Sequence, residues 1–371
     1  MRTALSITRI IVGLLFIFSG LVKANDPLGL SYKMQEFFDL WGMMQFNKYT
    51  LVMSIVMNAL EITAGVSLLI GWRIRFFSWL LLMMIIFFTF LTGYAYLSGK
   101  FKNCGCFGDC LPITPLVSFL KDVLLLLLIG FIFLKRNQIK QAFSERTSVI
   151  IIGLTTLFSF GLQWYTLTRL PILDCLPFKK GNNIPKAMLP PEGSRPDSFA
   201  ILFVYEKGGK KYEFDAGNLP ADLDTYKFVE RTDKLVRKGN AEPPLKGFNL
   251  TGANGGDSAQ VVLKLPYAIL LFCEEMSKPV DSWKDEFAEV YAEATRKNIP
   301  AWLVTTQPAS VPGAIRNTAF NNIPVFSCDY TAIRTAARTN PCLYLLQNGT
   351  VLGKWPRSKF EEAAAFIESL K

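Results

Sequence analysis

Histidine is absent from all 371 residues. Its absence excludes imidazole general acid–base catalysis, histidine-ligated haem and every zinc site that needs an imidazole. The seven cysteines never form a C-x-x-C pair, the spacing that zinc and iron–sulfur sites use. A formal charge of +10 is not organised into a basic stripe with interleaved aromatics, so nucleic acid is not an expected partner. Charge is also scarce over residues 1–170, where the apolar residues of a chain that is 50% hydrophobic are gathered. This distribution describes a membrane half followed by a soluble half. The chemistry that remains must rest on Cys, Asp, Glu, Lys, Arg or Tyr.

Five runs approach the length of a bilayer crossing, about 20 apolar residues. They are Leu5 to Lys23, Leu51 to Gly71, Phe76 to Leu97, Leu116 to Leu134 and Val149 to Leu167. The first could also be a secretory signal peptide, with Arg2 and Arg9 ahead of its apolar stretch and Ala24 near a cleavage point. Lys23 beside that cut favours a retained helix. Arg2, Arg9, Arg73, Arg75, Lys135, Arg136, Lys140 and Arg146 share one set of span ends, which predicts a cytoplasmic N-terminus. Lys33, Lys48, Lys100 and Lys102 lie in the opposite loops, so the asymmetry is incomplete. With five spans, all seven cysteines then fall outside the cytoplasm, the distribution expected where disulfides can form.

Three of those cysteines, Cys104, Cys106 and Cys110, lie in the loop "NCGCFGDC" between the third and fourth runs, and Cys175 follows the fifth. Thiols gathered on an oxidising face suggest disulfide exchange. A Cys104–Cys106 bridge would close a small strained ring, which Gly105 and Gly108 permit by allowing a tight turn. Cys110 or Cys175 would then be resolving or relay thiols. Permanent bridges and a thiolate metal site are the other two readings of the same residues, and no metal is assigned.

Charges inside the runs add a second feature. Glu61 lies about ten residues into the second run, near mid-bilayer, and Lys121 and Asp122 lie in the fourth. Each costs about 2.5–3.5 kcal/mol unless paired or hydrated, so they are expected to face the bundle interior. A Glu61–Lys121 pair is expected to place a polar pocket beneath the cysteine loop, or only to fix helix register. Gly13, Gly20, Gly65 and Gly71 could permit close helix approach.

These residues carry a family resemblance. "FSGLVKANDPLG" after the first span and "LEITAGVSLLIG" in the second resemble the DoxX/MauE group of small membrane proteins, and "CGCFG" is similar to MauE in particular. The resemblance covers residues 1–135. It implies an association with methylamine utilisation, in disulfide formation or maturation of a methylamine dehydrogenase subunit. Lys23, Glu61, Cys104 and Cys106 occupy the matching positions. The fifth span and the long C-terminal portion depart from a minimal MauE.

Residues 171–198, with "NNIPKAMLPPEGSRP", read as a linker. Residues 199–371 read as a soluble domain. "FAILFVYEKGGKKYEFD" predicts a hairpin turning at Gly208-Gly209, and Leu219 to Arg237 a charged helix. A βα alternation then runs from strand Tyr267–Phe272 to helix Ser358–Leu370, closing on a hairpin at Asn348-Gly349. From about residue 245 this order resembles a thioredoxin fold, with Pro341 at the place of the cis-proline. Where a thioredoxin carries C-x-x-C, this chain has Cys273-Glu274-Glu275-Met276, and methionine cannot resolve a mixed disulfide. Two acidic neighbours should also disfavour a Cys273 thiolate. Cys328 and Cys342 are expected to be small core residues or one structural pair.

The expected architecture is therefore an α-helical transmembrane bundle of about five spans followed by an α/β thioredoxin-like extracytoplasmic domain. The expected function is thiol–disulfide exchange, or support of envelope-protein maturation, at the periplasmic face. Lipid and a periplasmic client or redox partner are the expected partners. Electrons would leave through a quinone in the bundle or through another envelope protein. The alternatives are a non-enzymatic binding module with structural disulfides, and passage of a small molecule around Glu61.

Overall fold

The structure is a computed structural model that describes residues 2–101, 105, 108–111, 113–215, 217–237, 239–276 and 280–370. Its first half is built from α1 (Arg2–Ala24), α2 (Pro27–Leu40), α3 (Thr50–Ile70), α4 (Ile74–Ser98), α5 (Pro115–Lys135) and α6 (Glu145–Arg169). Among the described residues, five helices are long and apolar enough to cross a membrane, namely these without α2. α2 is the element that the apolar runs do not reveal. It starts because Asp26 caps it, accepting from the Gly29 amide at 3.1 Å, and because Pro27 occupies its first turn.

α1 packs antiparallel to α3 at close range. A Cβ added at Gly65 would lie 2.8 Å from the Gly13 backbone oxygen, and one at Gly20 2.6 Å from Ile62. Small residues thus let two backbones meet where larger ones would hold them apart. At the far end of α3, the Ala142 amide donates to the Ile70 oxygen and Arg73 pairs with Glu145 at 3.1 Å. The Arg73 and Lys140 turns therefore share one end of the bundle, and Ala24 with α2 occupies the other.

After α7 (Ile184–Ala187), strands β1 (Ser198–Lys207), β2 (Lys210–Asp215) and β3 (Lys227–Arg237) form a small antiparallel sheet in the order β2-β1-β3. The hairpin turns at Gly208-Gly209 as expected, both in the left-handed region. The helix expected over Leu219 to Arg237 is not formed: β3 occupies its second half. Its charges favour a helix locally, but apolar β1 needs a second edge partner, and pairing overrides propensity.

The larger unit follows as α8 (Ala259–Leu263), β4 (Ala268–Cys273), α9 (Lys284–Arg296), β5 (Ala301–Thr305), α10 (Val311–Ile315), β6 (Val325–Ser327), α11 (Tyr330–Ala336), β7 (Cys342–Gln347), β8 (Thr350–Pro356) and α12 (Phe360–Glu368). Its sheet order is β6-β5-β4-β7-β8, with β4, β5 and β6 parallel and β7 and β8 antiparallel to their neighbours. This is the thioredoxin-like α/β arrangement that the sequence resembles. Every β4 residue is buried: Leu270 and Phe272 face the core that holds Phe178 and Tyr344, and Ile269 and Leu271 face the core under α9 and α12. Residues 171–198 contribute to that core as well. Phe178 and Ile184 are fully buried, and the Gly181 and Ile184 amides bond to Val351 and Gly349 oxygens at 2.8 Å.

Candidate functional site

Cys110 and Cys175 are joined by a disulfide with their Cα atoms 4.9 Å apart, 65 residues apart in sequence. Cys175 is exposed and Cys110 half-buried, so the bond is open to an attacking thiolate. Cys175 and Asp109 line a cleft of about 970 Å³ between the loop after α4, the start of α5 and the segment 239–246 of the soluble half. Cys104 and Cys106 lie outside the described residues. Gly105 between them is described, and a Cβ there would meet the Lys33 side chain at 3.0 Å.

Each bridged cysteine follows an aspartate, and each aspartate is held by a buried cation of the thioredoxin-like unit. Arg338 donates from Nη2 to Asp109 at 2.7 Å and from Nε to the α2 cap Asp26 at 2.8 Å, while Lys354 donates to Asp174 at 2.8 Å. Arg338 and Lys354 are each 4% exposed. Burial alone would lower the Arg338 pKa, but the charges of Asp26 and Asp109 hold it above the usual guanidinium value. The residues beside both bridged cysteines are therefore held by the same thioredoxin-like unit.

The thioredoxin-like remnant faces the same junction. Glu274, next to Cys273, accepts from Arg334 at 2.6 Å and from the Tyr32 hydroxyl of α2 at 3.0 Å, and Arg334 also donates to Gln35 at 2.5 Å. Burial, then the Glu274 charge, pushes the Tyr32 hydroxyl up, so it stays a donor. The Asn340–Pro341 bond is cis, and Asn340 donates to the Glu275 oxygen at 2.9 Å. Met276 is buried.

Cys273 ends β4 at 1% exposure. Its thiol is pushed far up by burial, with nearby Cys342 a further cause. That corrects the expected cause, which was the charge of its acidic neighbours. Cys328 and Cys342 are free and buried, not a pair, with burial pushing their thiols up to about 12 and about 11. Thiols this protonated are poor nucleophiles near neutral pH.

Lys23, Glu61, Lys121 and Asp122 do converge, with one change of partners. Glu61 pairs with Lys23, not with Lys121, and Lys121 pairs with Asp122 at 2.9 Å. Glycine-mediated contact brings the last turn of α1 onto α3, and the adjacent carboxylate satisfies Lys121 first. Lys23 and Glu61 are 4% and 1% exposed, and Lys23 lies 5.0 Å over the Phe88 ring. Asp122 also accepts from Thr92 at 3.0 Å. A cavity of about 90 Å³ runs from Gly105 and Lys33 down past Trp41 and Phe88 to Lys23 and Asp122.

Sequence reasoning did not single out Asp26, Asp109, Asp174, Arg338 or Lys354. The repeated Asp-Cys doublets, Asp109-Cys110 and Asp174-Cys175, are the signal that could have marked two of them.

Residues 1–135 match the family described as Methylamine utilisation protein MauE, and residues 199–238 match one described as Domain of unknown function (DUF8463). Protein TlpB of Flavobacterium psychrophilum is 25% identical over 150 residues, which span 40% of this chain and only 40% of that relative. Among solved structures, copper-bound ScoI of Bradyrhizobium japonicum is 16% identical with a TM-score of 0.25, covering 33% of this chain and 95% of that one. Copper-bound yeast Sco1 is 12% identical with a TM-score of 0.26, covering 33% and 92%. The five apolar helices and the MauE match together make this a multi-pass membrane protein.

Proposed function

We propose that this protein carries out thiol–disulfide exchange on envelope proteins at the periplasmic face of a bacterial inner membrane. The observation that carries the reading is the exposed Cys110–Cys175 bond, seated beside a cleft on a loop that also bears Cys104 and Cys106. A client thiolate would attack the exposed Cys175 sulfur, forming a mixed disulfide and releasing Cys110 as a thiolate. A second client thiol would then displace Cys175. The client loses two electrons and gains a disulfide, and Cys110 and Cys175 take up those electrons and two protons. A Cys104–Cys106 disulfide would reoxidise them by the same exchange. Cys273 takes no part, because burial keeps it protonated.

The MauE match supports a role in maturation, with a methylamine dehydrogenase subunit among the candidate clients. Basic residues Arg73, Lys140 and Arg146, at the bundle end opposite the disulfide, support an outward-facing soluble half. The test is alkylation of native membranes before and after mild reduction, with mass mapping of Cys104, Cys106, Cys110 and Cys175. Partial, reductant-sensitive labelling, with Cys110 and Cys175 accumulating as thiols in Cys106→Ser because reoxidation is blocked, is the expected result.

The ion pairs of Asp109 and Asp174 favour a second reading, in which Cys110–Cys175 is a permanent tether of a binding module. Complete bridging that resists mild reduction and is unchanged in Cys106→Ser would establish the tether and end the exchange reading.

A further inference from the structure

The end of the bundle opposite the disulfide holds a cavity that thiol exchange does not use. It opens between the start of α1 and the link after α5, with a volume of about 570 Å³. At about 30 Å³ per water that is the space of roughly twenty waters, enough for a phosphodiester and its glycerol. Its polar lining is Ser6 and Arg9 of α1 with Asn137, Gln138 and Lys140 of the link. All five side chains can donate a hydrogen bond and two carry positive charge, while among the described residues no carboxylate lines the cavity.

Arg9 lies six residues past Thr3, where the span begins, about 9 Å along the helix. On the same helix Ile7 and Ile10 are 53% and 47% exposed, and Leu134 near the end of α5 is 77% exposed. Large apolar side chains bared to this degree on membrane spans face lipid, so the cavity sits where hydrocarbon gives way to head groups. An arginine at that depth needs a counter-charge or a path to water. Its Nε is buried without a hydrogen-bond partner, and among the described residues Arg9 forms no ion pair. Arg136 differs, because it donates to the Phe133 oxygen at 2.9 Å and so caps the end of α5. Glu145, an acid at this end of the bundle, is already taken by Trp72 and Arg73, each at 3.1 Å.

We infer that this cavity binds the phosphate of an anionic phospholipid, with Arg9 and Lys140 as counter-charges and Ser6, Asn137 and Gln138 as donors. The inference goes beyond the exchange reading and does not rest on it. Leu5 and Ile139 complete the wall, and the glycerol and first acyl carbons would lie against them. A zwitterionic head group would bring its own cation to two others with no carboxylate to receive it. A free phosphate matches the donors but leaves the apolar wall and the lipid-facing isoleucines unused. The bound lipid would bridge α1 and the link that leads to α6.

The experiment uses the full chain, delipidated in dodecyl maltoside and followed by native mass spectrometry with added phosphatidylglycerol, phosphatidylcholine or inorganic phosphate. The thermal midpoint is read in the same samples. One retained phosphatidylglycerol per chain and a raised midpoint are expected. Affinity should fall about tenfold in Arg9→Gln, which loses a charge-assisted bond, and about fivefold in Lys140→Gln, which loses a cation at the membrane surface. Lys140 is exposed, so its variant carries the test should Arg9→Gln fold poorly. Arg75→Gln removes an exposed cation at the same end that does not line the cavity, and should bind as wild type.

Equal retention of phosphatidylcholine, no saturable adduct, or affinity indifferent to both cavity variants each overturns the inference. A loss in Arg75→Gln as large as in Arg9→Gln also overturns it, by showing attraction to the whole basic end. Inorganic phosphate that saturates the site and displaces phosphatidylglycerol overturns the lipid assignment and identifies a water-borne anion instead.

Discussion

Arg338 reaches Asp109 across 229 residues of sequence, at 2.7 Å. The bond joins the loop leading to the cis-Pro341 turn of the thioredoxin-like unit to the residue beside Cys110. A second such bond, Lys354 to Asp174, holds the residue beside Cys175. The soluble half is thus a clamp on the disulfide, although its own Cys273 is buried and lacks a partner thiol at position 276.

Arg338→Ala should open that clamp. Removing a buried cation leaves Asp26 and Asp109 uncompensated, with a cost of about 3 kcal/mol, toward the low end for a broken buried pair because Asp109 is partly exposed. The expected results are a lower unfolding midpoint of the soluble half and faster reduction of Cys110–Cys175 by dithiothreitol. Arg338→Lys should recover only part, because one ammonium cannot span two carboxylates as a guanidinium fork does. Reduction rates equal to wild type in Arg338→Ala would show that the clamp does not shield the bond.

The three buried thiols should stay silent toward iodoacetamide in the native protein from pH 6 to pH 9. Burial pushes Cys342 up to about 11 and Cys328 up to about 12. The folded state therefore keeps protons that an unfolded chain, with thiols near 9, has already released. Stability contributed by Cys342 is complete below pH 9 and is lost as pH rises toward about 11. Denaturation midpoints measured between pH 8 and pH 11 should fall, and fall less in Cys342→Ala. Labelling of any of the three at pH 7 without denaturant would contradict their burial.

Legibility in the sequence followed the range of the interactions. The five spans, the two hairpins and the β4–α9–β5 alternation were readable because each is a local pattern of apolar spacing and turn residues. The charges of residues 227–237 speak for a helix until β1 is known to need an edge. The sequence points to Lys121 as the Glu61 partner because it shows which spans carry charge but not which spans touch. Gly13 and Gly65 held that information, yet a glycine names no partner until two helices are superposed on each other. The Arg338 and Lys354 pairs have no local pattern at all.

Gly65→Leu should separate α1 from α3. Even a Cβ at 65 would lie 2.8 Å from a backbone oxygen of Gly13, and a backbone cannot give way as a side chain can. A loss of about 1–3 kcal/mol is expected, read as a lower aggregation midpoint in detergent. Gly153→Ala in α6 is the control. Its added Cβ meets nothing within 4 Å, so it should be neutral or slightly stabilising. Equal midpoints for both variants would remove the glycine contact as the reason for the close approach.

The Lys23–Glu61 pair provides the sharpest separation of stability from function. Glu61→Gln leaves an ammonium that is 4% exposed without its carboxylate, and Lys23→Met leaves a carboxylate that is 1% exposed without its cation. Each single variant should lose about 3–5 kcal/mol, because an uncompensated buried charge costs more than the intact pair contributes. Lys23→Met combined with Glu61→Leu removes both charges and should regain most of that loss, a coupling that a double-mutant cycle in detergent measures directly. Were the pair only a register device, the double variant would be stable and would exchange thiols at the wild-type rate. If the pair instead serves the cavity it lines, the double variant is stable and its thiol exchange is impaired.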